Sequence, residues 1–243
     1  MFDNIIKFIA PKPYIDNNQD YLPTPIKLNI PEWYKKLEHT PLNKTVKGCM
    51  PFLDSLTTGY VLKMPVDYLI RHNIEHEGER KTGMLSGTDK RHEDYNINFG
   101  QEEWHSIKQL KGSPHVEKNK NLPVHKILNP WIIKTPPGYS TLFVPPLNNS
   151  DDRFSIIPAI VDTDTFENEI NFPFIVNGDK YPVLESTIEI GTPYVQLIPF
   201  KRESWSLKIE SINPKENHIK RIFNFKHIIH NYKKLYWHKK KWK

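Results

Sequence analysis

The chain has a single cysteine, Cys49, among 243 residues. That excludes a disulfide framework within one chain and any zinc site built on several thiolates. Glycine is scarce as well, ten residues against 21 prolines. Proline neither donates to a ladder nor continues a helix, so this balance predicts short strands, sheet edges and ordered loops. No apolar run approaches the roughly 18 residues that suggest a transmembrane helix. The opening MFDNIIKFIAPKPY lacks a basic stretch followed by a long apolar segment and a small-residue cleavage site, so export through a signal peptide is not expected. GxGxxG, phosphate-loop, GxSxG and HExxH sequences are missing too, and with them the simplest signatures of dinucleotide, nucleotide, serine-hydrolase and zinc chemistry. Acidic residues are missing from His218 to Lys243, a stretch with nine Lys or Arg. The other 217 residues hold 25 basic and 28 acidic side chains, so a body of net −3 carries a strongly basic tail and the overall +6 describes neither part.

What is present is apolar and aromatic enough for a packed core, at 37% and 12% of residues. Residues 1–45 alternate prolines with aromatics and predict an extended segment lying on a body, with a helical turn from Pro31 to Leu37. Residues 46–205 form the expected main domain, in which Thr57-Thr58-Gly59 opens a strand through Tyr60 to Lys63. Within it, residues 71–126 are charged and predict a polar insertion, either a hairpin or a long loop. From Asn129 the pattern is β: apolar runs flank Pro136-Pro137-Gly138, and FSIIPAIVD, EINFPFIV, STIEI and YVQLIPF follow at short intervals. Short strands separated by Pro and Gly predict a mainly β sandwich or barrel. Residues 206–243 predict a basic C-terminal helix and tail, with Ile222, Phe225, Ile229, Tyr232 and Tyr236 at helical spacing.

Three β segments, in order, resemble the dUTPase and dCTP deaminase superfamily, the β-clip fold. TPPGYSTLFVPPLNN is similar to the strand and turn leading to that superfamily's second motif. AIVDTDTFENEINFPF is similar to its third, and IEIGTPYVQLIPFKRE to its fourth, which includes Gln196; TTGYVLKMPVDYLI is similar more loosely to the first. The likeness covers about residues 57–70 and 130–202. PEWYKKL, CMPFLDSLTTGY, NPWIIKTPPGYS, VDTDT, NFPF and GTPYVQLIPFKRESW also resemble, nearly throughout, an uncharacterised family found in phages and marine bacteria. The first resemblance implies a β-clip domain that forms a homo-oligomer, with a trimer expected. The second implies a phage source, and so a place in the host cytoplasm or the virion.

The resemblance also singles out carboxylates. It assigns Asp162 the position that orients the attacking water in active dUTPases, with Mg²⁺ as cofactor, and offers Glu167 or Glu169 as the general acid/base of a deaminase. Other pieces depart from the pattern. Val61 stands where the first motif has an Asp, and Pro145-Pro146-Leu147-Asn148 stands where the second offers a cation to the phosphates. Phosphoryl transfer relies on such cations, so a non-catalytic role is expected, without cofactor or metal. Glu167-Asn168-Glu169 equally predicts a polar turn before the next strand, and that rim reading is preferred. Cys49 is expected as a buried thiol, and His72, His76, His92, His105, His115 and His125 as solvated surface histidines.

The tail is the remaining chemical feature. NYKKLYWHKKKWK interleaves lysines with aromatics, and Lys233, Lys234, Trp237, Lys239, Lys240, Lys241 and Trp242 are candidate binding residues. Cations matched to phosphates and aromatic faces for stacking suit a nucleic acid. The same pattern suits an acidic protein surface or an anionic membrane surface, or packing of an apolar face on the chain's own body. The leading expectation is a protein that binds or assembles. A nucleotide-metabolising enzyme and a nucleic-acid-binding accessory protein are its two rivals.

Overall fold

A computed structural model describes residues 4–16, 20–76, 78–86, 104–215, 217–219 and 232–243. The Pro-Pro-Gly step turns the chain as expected, but it passes the chain between sheets and does not close a hairpin. Strand β8 (Ile132–Lys134) before the turn pairs with β1 (Lys7–Ile9). Strand β9 (Tyr139–Val144) after it enters a five-stranded sheet ordered β11 (Ala159–Val161), β9, β14 (Pro193–Lys201), β3 (Tyr60–Lys63) and β2 (Thr24–Pro25). A four-stranded sheet runs β10 (Phe154–Ile156), β12 (Phe172–Val176), β7 (Val124–Ile127) and β6 (Trp104–His105). A three-stranded one runs β13 (Leu184–Ile188), β4 (Tyr68–His76) and β5 (Glu79–Ser86). The fold is mainly β, every pairing is antiparallel, and none of these sheets closes into a barrel among the described residues.

Strand β14 is the centre of the larger sheet. Tyr194, Val195, Gln196 and Leu197 are all buried, the continuous pattern of a strand covered on both faces. Its partner β3 leaves after Leu197, and Pro199 sits beyond that point, where one side of the strand has no ladder to complete. Gly59 opens β3 with φ +84, and a Cβ there would lie 2.0 Å from the Leu197 carbonyl oxygen. Only glycine permits that approach. Phe172 of β12 bridges the two larger sheets, its ring 5.4 Å from Phe143 of β9 and 5.6 Å from Tyr194 of β14. These edge and tilted contacts suit aromatic quadrupoles and bury large areas.

Short α-helices accompany the sheets, among them α1 (Lys12–Asp16), α2 (Glu32–Lys36), α3 (Met50–Thr57) and α4 (Pro114–Lys118). Helix α2 is the helical turn expected after Pro31. Helix α3 begins with Pro51 in its first turn, a position where the missing N–H costs nothing. Part of the charged stretch 71–126 forms a hairpin, β4 against β5, with an irregularity between Arg71 and Ile74 where Asn73 takes φ 55. Asn tolerates this left-handed conformation, and its amide donates to the Pro182 carbonyl at 2.7 Å. The helix expected through Ile222, Phe225 and Ile229 lies outside the described residues. Tyr232–Tyr236 forms one wide helical turn. No helix among the described residues is long and apolar enough to cross a membrane.

Two expectations are overturned. Cys49 is exposed, because it occupies the turn ahead of α3 while Met50 points inward. His72 and His125 are buried, not solvated. In β4, Tyr68, Ile70 and His72 alternate with Leu69 and Arg71, so strand periodicity carries His72 to the core face despite the charged sequence around it. His125 lies in β7, its ring 6.3 Å from that of Phe174. His92 lies outside the described residues.

Burial, with lesser contributions from His125 and Lys120, pushes the His72 imidazole down to about 4. The unfolded chain takes up a proton below about pH 6.5 that the folded chain refuses until about pH 4, so stability falls as pH falls through that window. Denaturant unfolding at pH 7 and pH 4.5 should show a loss of up to about 3 kcal/mol from this group. His72→Gln should flatten the dependence, and an unchanged pH profile in that variant would contradict the assignment.

Candidate functional site

The loop after β11 carries the carboxylates that the sequence singles out. It is a tight turn: the Asp162 carbonyl accepts from the Thr165 and Phe166 amides at 3.1 and 2.9 Å, and Thr163 N–H donates to the Val161 carbonyl at 3.0 Å. The Thr163 side chain points inward, sharing hydrogen bonds with the Thr135 and Thr141 hydroxyls at 2.7 and 2.8 Å, all three residues being buried. With Thr163 inward, its neighbours Asp162 and Asp164 face the end of β14. There Arg202 waits, its own N–H donating to the Gly138 carbonyl at 2.8 Å.

Asp164 is the better enclosed of the two, its side chain 6% exposed. It accepts from both terminal nitrogens of Arg202, at 2.8 and 2.5 Å, and from the Gly138 amide at 2.8 Å. The Arg202 guanidinium and, after it, the Gly138 N–H hold the Asp164 carboxyl well below the usual carboxylate range. Planar guanidinium and carboxylate meet in the paired geometry that makes such bonds strong. Asp162 is 62% exposed; it accepts from the Ser140 hydroxyl at 2.6 Å and lies 3.3 Å from Arg202. The same guanidinium donates to the Tyr139 carbonyl at 3.1 Å. One arginine therefore joins the Pro-Pro-Gly turn, the carboxylate loop and the exit of β14.

Glu167 and Glu169 do not join this pair. Glu167 is 83% exposed with Lys134 3.5 Å away, and Glu169 is exposed, its backbone bridged to Ile132. Of the carboxylates Asp162, Asp164, Glu167 and Glu169, only the first two are brought together, by Arg202. Among the described residues no group of three or more His, Cys, Asp and Glu side chains could hold a metal ion.

Gln196, expected as a binding residue, is fully buried in β14. Its amide donates to the Ser55 and Thr58 carbonyls at 3.1 and 2.7 Å, and its carbonyl oxygen accepts the Leu147 amide at 2.9 Å. Both amide hydrogens are used, so the side chain acts on the chain itself, holding the end of α3 to the Pro145–Asn149 loop. That loop is pinned further by Asn148 to the Ser55 hydroxyl at 2.7 Å and by Asn149 to the Asn29 carbonyl at 3.1 Å.

The tail divides in two. Trp237 donates its indole N–H to the Asp54 carboxylate, 3.1 Å from each oxygen, and Lys240 pairs with the same group at 2.5 Å. The Trp242 ring meets Tyr60 edge-on at 5.8 Å, its carbonyl accepts from Lys27, and the Lys243 carbonyl accepts from the Tyr60 hydroxyl at 3.1 Å. Lys233, Lys234, Lys239 and Lys241 are exposed. Asp54, whose side chain is 17% exposed, is thus a receiving residue that sequence reasoning missed. Its signal was a lone carboxylate in the otherwise uncharged helix MPFLDSLT. Arg153 was missed as well: it chelates Asp151 and donates to the Ser186 hydroxyl at 2.6 Å and the Thr187 carbonyl at 3.0 Å, capping the outer side of β13.

No protein-family model matches the chain, and no curated protein matches it.

Replacing Gln196 by Leu keeps the volume but strands an amide and two carbonyls. A buried group left unpaired costs about 1–3 kcal/mol, and some of these three reach water after the change, so a net loss of about 2 kcal/mol is expected by denaturant titration. An unchanged midpoint would show that the amide does not hold these segments together.

Proposed function

We propose that the chain is a β-clip-type protein that acts by binding and assembly, as a virion component or a host-interaction protein, and that it neither hydrolyses nor deaminates nucleotides. One observation supports this above the others: the carboxylates Asp162 and Asp164 are engaged by the chain's own Ser140, Gly138 and Arg202. A water-orienting Asp162 needs cations nearby for the phosphates. Arg202, the guanidinium beside it, is committed to Asp164. The Pro145–Asn149 loop brings amides and no cation, and those amides are tied to Gln196, Ser55 and Asn29. Deamination needs a carboxyl held protonated in an apolar pocket, whereas Glu167 and Glu169 are exposed.

A second activity has a specific observation in its favour. Lys233, Lys234, Lys239 and Lys241 remain exposed although Trp237, Lys240 and Trp242 turn to the body, so the tail keeps a cationic face for a polyanion. With its tryptophans engaged, such binding would run on charge and weaken steeply with salt.

A thermal-shift screen against nucleoside mono- and triphosphates, with and without Mg²⁺, tests the main reading. A ligand held about a hundredfold above its Kd adds about 2.7 kcal/mol to stability, so a nucleotide site would be plainly visible. No shift is expected. A shift that disappears in Asp162→Ala would replace this reading with the enzyme.

A further inference from the structure

Beyond β14 the chain runs through Ser204-Trp205-Ser206-Leu207-Lys208-Ile209-Glu210, a strict apolar and polar alternation of the kind that builds a strand with one buried face. Yet Trp205 is 87% exposed, Leu207 89% and Ile209 87%, and every residue from Phe200 to Lys215 is exposed. Isolated apolar side chains on a surface are ordinary, but three on one face of an unpaired, strand-patterned segment are a surface built to be covered. We infer that this segment is an arm that adds as a strand to the open edge of β11 in a second copy of the chain. The inference deepens the assembly reading and rests on it.

The chain itself supplies the complementary edge. Strand β11 bounds the five-stranded sheet and pairs on one side only, with β9. Its central residue Ile160, 62% exposed, is the most exposed large apolar side chain among the described strand residues. Two other edges are blunted: β2 spans two residues and ends in Pro25, and β13 is capped by Arg153. Main-chain pairing to such an edge, with alternate side chains covered by the partner, is a general mode of strand addition.

The arm cannot begin on its own β11. The empty lane outside β11 is three strand spacings from β14, about 14 Å. Arg202 is held by its amide to Gly138 and by its guanidinium to Asp164. From there Trp205 is three residues on, a reach of about 11 Å at full extension. Another copy meets no such limit. Trp, Leu and Ile side chains together offer roughly 500 Å² of apolar surface. Two exchanged arms, with the surfaces they cover, reach about 2,000 Å², the size of a specific interface.

Analytical ultracentrifugation over a concentration series tests the pairing, on the full chain, on the triple variant Trp205→Ser, Leu207→Ser, Ile209→Ser, and on Ile160→Lys. All four positions are exposed, so circular dichroism and melting should match the natural chain and report an intact fold. The natural chain is expected to self-associate, and each variant to do so at least tenfold more weakly. If the natural chain associates and either variant associates equally well, the arm-and-edge pairing is overturned while the assembly reading stands. If the natural chain remains monomeric to about 100 μM, far above the Kd of a specific interface of this size, both are overturned.

Discussion

The pairing of Arg202 with Asp164 is the constraint on which the β11 end of the structure depends. It joins three segments far apart in sequence: the Pro-Pro-Gly turn through Gly138 and Tyr139, the loop after β11, and the residue that follows β14. A carboxylate at 6% exposure needs its charge answered, and the guanidinium does so with two parallel bonds while the Gly138 amide supplies a third. The threonine trio beneath keeps the loop's one inward side chain satisfied, so the turn is fixed from both sides. Asp162 inherits its position from this arrangement. Asp162, which the resemblance offers as a water-orienting acid, is in three dimensions part of a corner brace built on Asp164, and it is left partly to solvent.

The same economy recurs elsewhere. Gln196 spends a fully buried amide on three backbone groups at the other end of β14, and Asn119 does likewise for Val176, Leu122 and Pro123. In a chain of many prolines and short strands, ladders leave backbone groups over, and side-chain amides take them up. Asp54 plays the corresponding part for the tail, receiving an indole N–H and an ammonium. A tail so held presents its remaining lysines outward. The arm before it is the one strand-patterned stretch for which the described chain provides no lane.

Much of the β architecture was legible in the residues. Gly59 marked the start of β3, and PPG, FSI, AIV, NFPFIV, STIEI and YVQLIPF fell on turns and strands, because period and turn chemistry are local properties. Sheet order was not legible, since β8 and β9 separate across the turn and join different sheets through contacts remote in sequence. His72 misled because its neighbours are charged, while its strand parity, which decides its face, depends on pairing with β13. Cys49 misled in the opposite sense: an apolar neighbourhood did not bury it, because it sits in the turn and Met50 takes the inward place. Asp162 was singled out, but neither Asp164 nor Arg202 was, for Arg202 lies 38 residues away from Asp164 and no local pattern links them.

The central claim is that the carboxylate pair serves the fold, and a double-mutant cycle on Asp164→Asn and Arg202→Gln tests it most directly. Each single variant, followed by denaturant unfolding, should be less stable than the natural chain. If the two groups act as one brace, the double variant should be scarcely less stable than either single one, because the second substitution removes nothing the first had left. Losses that simply add, or single variants as stable as the natural chain, would contradict the account and return Asp162 to the groups kept for chemistry.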